Sequence, residues 1–230
     1  MAGSPAGEAG RWDDEGPQHE VTLTRGFWLC DTPVTQALWR AVMGENPSRF
    51  EDMDRPVERV SWEEAVAFMS ALGPHLAGDL PRLPTEAEWE RACRAGTDAA
   101  IWTGEWALLG DNNAPALHDI AWYGGNSGEA FDRDDGVDST GWPEKQLAHT
   151  RAGSGRWAQG AEPVGLVRHA GNVWEWCGDP GPRTYTTAAR VDPVGIAASN
   201  RVNRGGAWYL APGASGRRTG MRTGAPAPHP

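Results

Sequence analysis

Apolar and polar residues alternate from His19 to Leu29, with Val21, Leu23, Phe27 and Leu29 on one face; this period of two predicts a strand over 19–29. The period then lengthens. Thr35 opens a helix that runs through Met43 and closes at Gly44, with Leu38, Ala41 and Val42 as its apolar set. Ser61-Trp62-Glu63-Glu64 has the form of a capping box, in which the serine oxygen accepts from the third helical amide and Glu64 reaches back to the cap amide. The helix it opens presents Trp62, Ala65, Val66, Met69 and Leu72 and ends at Gly73. A second box, Thr85-Glu86-Ala87-Glu88, starts a helix that carries Trp89, Ala92 and Cys93 and stops at Gly96. Short strands are expected at 172–177 and 201–208. From 98 to 165 neither period is sustained, and structureless stretches of that length are uncommon in a compact domain. Loops ordered by aromatic packing or by metal ions would reconcile the two. With no internal repeat and no linker, the chain reads as one domain over residues 1–230.

Composition supports that picture. The 13 Trp among 30 Gly and 18 Pro supply large buried plates where regular elements are few, and argue against a disordered chain. A net charge of −10, from 31 acids against 21 bases, leaves no basic face for nucleic acid or an anionic membrane. Three cysteines, Cys30, Cys93 and Cys177, make no disulfide framework and no C-x-x-C pair, so each is expected to be a small buried thiol. No apolar run reaches the length of a membrane span and no secretory signal opens the chain; a cytoplasmic location is the expectation. The six histidines lack ligand spacing, and the acidic loop Asp132–Asp138 fails the EF-hand pattern because its twelfth position is Pro143.

The chemistry converges on residues 171–179, GNVWEWCGD. Alternation would put Trp174 and Trp176 on one face and turn Glu175 to the other, where a carboxylate needs a cation, an arginine or water.

The ordered segments "FWLCDTPVTQALWRAVMGENPSRF", "RPVERVSWEEAVAFMSAL", "LPRLPTEAEWERACRAG", "DIAWYGGNSGE", "DSTGWPEKQLAHTRAG", "GNVWEWCGD" and "RVNRGGAW" together resemble the formylglycine-generating enzyme family, the sulfatase-modifying factor domain, over nearly the whole chain. The resemblance implies an α+β, C-type-lectin-like core with little regular secondary structure and long ordered loops. It also implies several trades: oxidation of a sulfatase cysteine at a copper ion held by two cysteines, sulfoxide synthesis at iron, or ligand binding without catalysis. The last group includes variable proteins diversified by retroelements, whose binding surface follows the R-G-G-S-W motif.

Here that motif reads Arg204-Gly205-Gly206-Ala207-Trp208, and no cysteine occurs after Cys177. Leu210 and a residue near Ala214 or Ser215 stand where the resemblance places the thiol pair, and copper(I) needs soft donors. The expectation is therefore a non-catalytic module for a protein, peptide or small-molecule ligand, with no confident cofactor. Trp208, Tyr209, Arg217, Arg218 and Arg222 are its candidate contacts, since aromatics and arginines carry much of binding energy. A metal-dependent oxidoreductase of the same family is the alternative. The resemblance further implies a calcium site at Gly171, Val173 and Glu175, but Arg168 stands where it expects an Asn or Asp. Either Arg168 replaces the ion and pairs with Glu175, or the shortened stretch before GNVWEW shifts the register. The family's first and last strands are expected to be absent from 1–230, which would expose sheet edges.

Overall fold

The computed structural model describes residues 1–8, 11, 13–78, 80–101, 104, 107–109, 113–117, 120–123, 171–181, 185–195, 199–208 and 219–222. The order of regular elements is β1 (Val21–Thr22), α1 (Gln36–Met43), α2 (Trp62–Leu72), α3 (Glu86–Cys93), β2 (Glu175–Pro180), β3 (Arg190–Val191), β4 (Asn200–Arg204) and β5 (Thr219–Arg222), with short 3₁₀ turns between them. β2, β4 and β5 form an antiparallel sheet in that spatial order, and β1 pairs in parallel with β3. The strand β5 directly follows the arginine-rich stretch and lies beside β4.

All three helix starts are as the sequence predicts. Thr35, Ser61 and Thr85 accept the amides of Leu38, Glu64 and Glu88, and the last two form complete capping boxes. The ends differ in detail. Gly44 closes α1 with φ 85°, but Gly73 stays right-handed and continues into a 3₁₀ turn, and α3 ends at Cys93 with Arg94 as its cap.

Two buried faces depart from the predicted ones. In α1 the core side is Gln36 and Trp39, while Leu38 is 43% exposed and Ala41 exposed. Trp39 is turned inward because its ring stacks on Phe68 of α2, centroids 4.9 Å apart and planes within 5°. Phe68, absent from the predicted face, is 1% exposed. In α3 the glutamates Glu86, Glu88 and Glu90 are buried with Trp89, an outcome no hydrophobic pattern announces.

The predicted strand over 19–29 is a correction of a different kind. Val21, Leu23, Phe27 and Leu29 are half-buried, so the alternation is real, but only Val21–Thr22 joins a described ladder. Asp192, at φ 41°, turns the partner strand away and its carboxylate takes the Thr24 amide at 2.8 Å and the Thr24 hydroxyl. Beyond that point Trp28 is 98% exposed. The two later strands are shifted as well. β2 begins at Glu175, after left-handed Gly171 and Asn172, and β4 stops at Arg204, before left-handed Gly205 and Gly206.

Helix α3 is seated on β2 and β4 by Trp89, Cys177 and Val202, with Cys93 packed against them. Its first amide, Glu86 N–H, donates to Asp179 Oδ2 at 2.6 Å, which brings an anion to a helix N-terminus. Glu90 ties the other side together. One oxygen accepts the Arg94 Nε–H at 3.0 Å and the Gly3 N–H at 2.9 Å, and the other accepts from Arg204 at 3.0 Å. Burial alone would raise the Glu90 carboxyl, but the Arg204 and Arg94 guanidiniums hold it below the ordinary carboxylate range.

Two outcomes are expected. Glu90→Gln removes the buried carboxylate that Arg94 and Arg204 share, and urea unfolding should record a loss of about 3–5 kcal/mol. Because the folded-state acidity is the stronger one, the Glu90 contribution is present above the unfolded carboxyl's pKa of about 4.3 and is lost as pH falls through the folded value. The acid limb of the stability curve should therefore be shallower in Glu90→Gln than in the parent protein. Ser61→Ala or Thr85→Ala should each cost about 1 kcal/mol in the same measurement.

Candidate functional site

The segment Gly171–Trp176 turns before it becomes a strand. Gly171 has φ 87°, and a side chain there would bring its Cβ to 2.1 Å from the Trp122 carbonyl, so the position excludes anything larger than glycine. Asn172 follows at φ 65°, a conformation that asparagine tolerates better than most residues. Its N–H donates to the Trp122 carbonyl at 2.9 Å and its carbonyl accepts the Trp208 N–H at 2.9 Å. Gly171 N–H donates to the Gly205 carbonyl at 2.5 Å. These bonds lay GNVWEW against the turn of RGGAW.

The consequence for the two tryptophans differs from simple alternation. Trp174 lies ahead of the strand and packs on Ala207 and Trp208. Trp176 enters the other side of the domain, among Trp39, Val60, Ala65 and Phe68, where its indole donates to the Val60 carbonyl at 2.9 Å. Two residues apart, they anchor two separate clusters.

Glu175 lies between them, half-buried, and its Oε2 accepts the Trp89 indole N–H at 2.7 Å. Across the ladder it is directly opposite Arg204, whose guanidinium sits 5.1 Å from the Trp89 ring centre. The Trp89 donor is a partner the sequence reading did not name; an indole 86 residues away leaves no local signal. Arg168, the expected partner, lies outside the described residues.

Calcium takes about six to eight oxygen ligands. The described surroundings of Gly171, Val173 and Glu175 supply one carboxylate, and that carboxylate already accepts the Trp89 indole. No group of three or more His, Cys, Asp or Glu side chains suited to a metal occurs among the described residues. The Glu175 carboxylate and the backbone carbonyls of Gly171 and Val173 are fewer donors than calcium takes, and the position of Arg168 lies outside the described residues.

Of the predicted ligand contacts, Trp208 is half-buried and meets Phe50 edge to face, with centroids 5.7 Å apart. Arg222 lies in β5 opposite Asn200. Tyr209, Arg217 and Arg218 lie outside the described residues, as do Leu210 and the acidic loop Asp132–Asp138. Among the cysteines, Cys177 is buried and Cys93 partly so, and burial pushes both thiols well above their ordinary range. Cys30 corrects the expectation of three buried thiols, for it is exposed. It lies on the outward-facing side of the 20–30 segment, the side that also carries Trp28.

A family model described as the sulfatase-modifying factor enzyme 1-like domain matches residues 2–227. The formylglycine-generating enzyme of Thermomonospora curvata is 34% identical over 200 residues, covering 84% of this chain and 56% of that protein. Chaperone protein LppX of Paenibacillus barcinonensis is 32% identical over 191 residues, covering 68% and 63%. A mouse protein named inactive Cα-formylglycine-generating enzyme 2 is 29% identical over 201 residues, covering 83% and 50%. The chain thus spans about half to two thirds of the length of these curated relatives. Among solved structures, Treponema denticola variable protein 1 superposes with a TM-score of 0.65 at 28% identity, over 99% of this chain and 87% of that one. The family model's near-complete span, the GNVWEW–RGGAW junction and the mixed fold with little regular structure agree: this chain belongs to the sulfatase-modifying factor family, with the formylglycine-generating-enzyme-like fold.

Proposed function

We propose that this chain is a non-catalytic binding module, built on the formylglycine-generating-enzyme scaffold, for a protein, peptide or small-molecule ligand. One observation carries the reading: the sequence has no cysteine after Cys177, and Leu210 with Ala214 or Ser215 fill the stretch where a copper-holding thiol pair would stand. Three similar proteins are named a variable protein, an inactive enzyme and a chaperone, which fits a scaffold that is retained without that chemistry. The ligand would meet Trp208, Tyr209, Arg217, Arg218 and Arg222, and residues 208–228 would be the surface that varies in a retroelement-diversified relative. No described helix is long and apolar enough to cross a membrane, and the charge of −10 disfavours nucleic acid.

The second reading, a metal-dependent oxidoreductase, draws on the 34% identity to a formylglycine-generating enzyme. One experiment separates the two. Purified protein loaded with copper(I), desalted, and supplied with a cysteine-containing sulfatase peptide and dioxygen should retain no stoichiometric copper and form no aldehyde. Either product would overturn the binding reading. In a peptide-library selection on the immobilised chain, the double change Arg217→Ala and Arg218→Ala should weaken the enriched peptide about tenfold, or about 1.4 kcal/mol, by calorimetry. Calcium at about 1 mM should raise the thermal midpoint by less than about 2 °C, because a tightly bound ion would stabilise far more.

A further inference from the structure

An exposed indole marks the segment that follows β1. Trp28 is 98% exposed, whereas every other described tryptophan is buried or half-buried. The chain bends at Arg25 and again at Asp31 and Thr32, and residues 26–30 run between the bends. Phe27 and Leu29 are half-buried while Gly26, Trp28 and Cys30 are exposed, so the run alternates as a strand does. It joins no ladder among the described residues, and no main-chain hydrogen bond ties residues 26–29 to another described residue. A run of this kind offers its main-chain N–H and C=O groups as a template for a further strand. Its outer side is open, since a Cβ at Gly26 would meet no atom within 4 Å.

Residue order says which strand fits. Residues 24–32 read TRGFWLCDT, a stretch that pairs with its own reverse about Trp28. Two copies laid antiparallel about a two-fold axis at Trp28 set Arg25 opposite Asp31, Gly26 opposite Cys30 and Phe27 opposite Leu29. Side chains directly opposite share a face, so inward apolar meets inward apolar and the indole meets its own copy. A slip of one residue would turn an inward side chain against an outward one. A slip of two moves the axis to Phe27 or Leu29, where Asp31 faces Leu23 or Phe27. Only the register at Trp28 pairs both charges, and it does so twice by symmetry.

We propose that residues 24–32 are a self-association edge, through which two copies of this chain pair antiparallel with Trp28 opposite Trp28. Arg25 and Asp31 are both exposed, so their pairs add little affinity and serve to set the register. The net charge of −10 opposes indiscriminate association, which favours the one register that brings opposite charges together. Affinity comes from the indoles, each of which buries roughly 150–250 Å². Two of them supply about 300–500 Å² of the roughly 1,200–2,000 Å² that a stable interface buries. The dimer is therefore weak and concentration-dependent, with a dissociation constant on the order of tens of micromolar. The edge uses none of the residues assigned to the ligand, so its failure would leave the binding module standing.

Sedimentation velocity of the full chain from about 1 to about 200 µM reads the association, and a dimer should grow in across that range. Trp28→Ser should weaken it about tenfold and leave the thermal midpoint unchanged, because the side chain is 98% exposed. Asp31→Arg sets like charges opposite each other and should weaken it about threefold; adding Arg25→Asp should restore the parent value. Cross-linking reads the register. Gly26→Cys, oxidised with diamide, should give a disulfide-linked dimer, because opposite Cα atoms stand about 4.5–5.5 Å apart. That dimer should vanish when Cys30→Ala is added. In the parent protein Cys30 should not link to its own copy, which lies four residues along the strand, about 13 Å away. A monomer throughout the range would overturn the proposal. So would a dimer indifferent to Trp28→Ser, a double charge swap that restores nothing, or a Gly26→Cys cross-link that survives the loss of Cys30.

Discussion

Glu90 is 3% exposed, and it holds three parts of the chain at once: its own helix through Arg94, the central strand through Arg204, and the N-terminal segment through the Gly3 amide. A carboxylate so placed would be costly without its counter-charges, and two guanidiniums would be costlier without the carboxylate. The rest of the structure inherits its geometry from this junction. Arg94 also bonds to the Gly3 and Ala99 carbonyls, and Arg204 stacks on Trp89. The buried charges thus connect strand, helix and terminus in one arrangement, where an apolar contact of equal area would tolerate sliding.

That junction also positions the RGGAW turn. Arg204 is the last residue of β4, and the chain turns immediately after it through two left-handed glycines into Ala207 and Trp208. Fixing Arg204 therefore fixes where the RGGAW turn meets Asn172 and Trp174. On the other side of the same ladder, Glu175 is drawn to Trp89, which leaves Trp174 and Trp176 to serve different clusters. The GNVWEW–RGGAW junction is tied by backbone hydrogen bonds, and the Glu175 carboxylate accepts the Trp89 indole N–H. A binding role is compatible with both features, since a rigid floor lowers the ordering cost of binding.

Much of the local structure was legible from residue order. The caps Thr35, Ser61 and Thr85 were read from short-range chemistry, because a hydroxyl three residues ahead of an amide needs nothing from the rest of the chain. Family membership was equally legible, carried by the order of motifs over residues 2–227. The choice of buried face was less so. Leu38 and Trp39 are both apolar, and only the stacking of Trp39 on Phe68 decides which one turns inward.

The sequence by itself determined the helix starts, the family and the absence of late cysteines, since each is a property of neighbouring residues or of composition. Tertiary structure alone decided the rest: that Trp174 and Trp176 separate, that three glutamates of α3 are buried, and that Trp89 answers Glu175. The reason is physical. A charge or a polar hydrogen is satisfied by whatever the fold brings within about 3 Å, and those partners lie as far as 168 residues away along the chain.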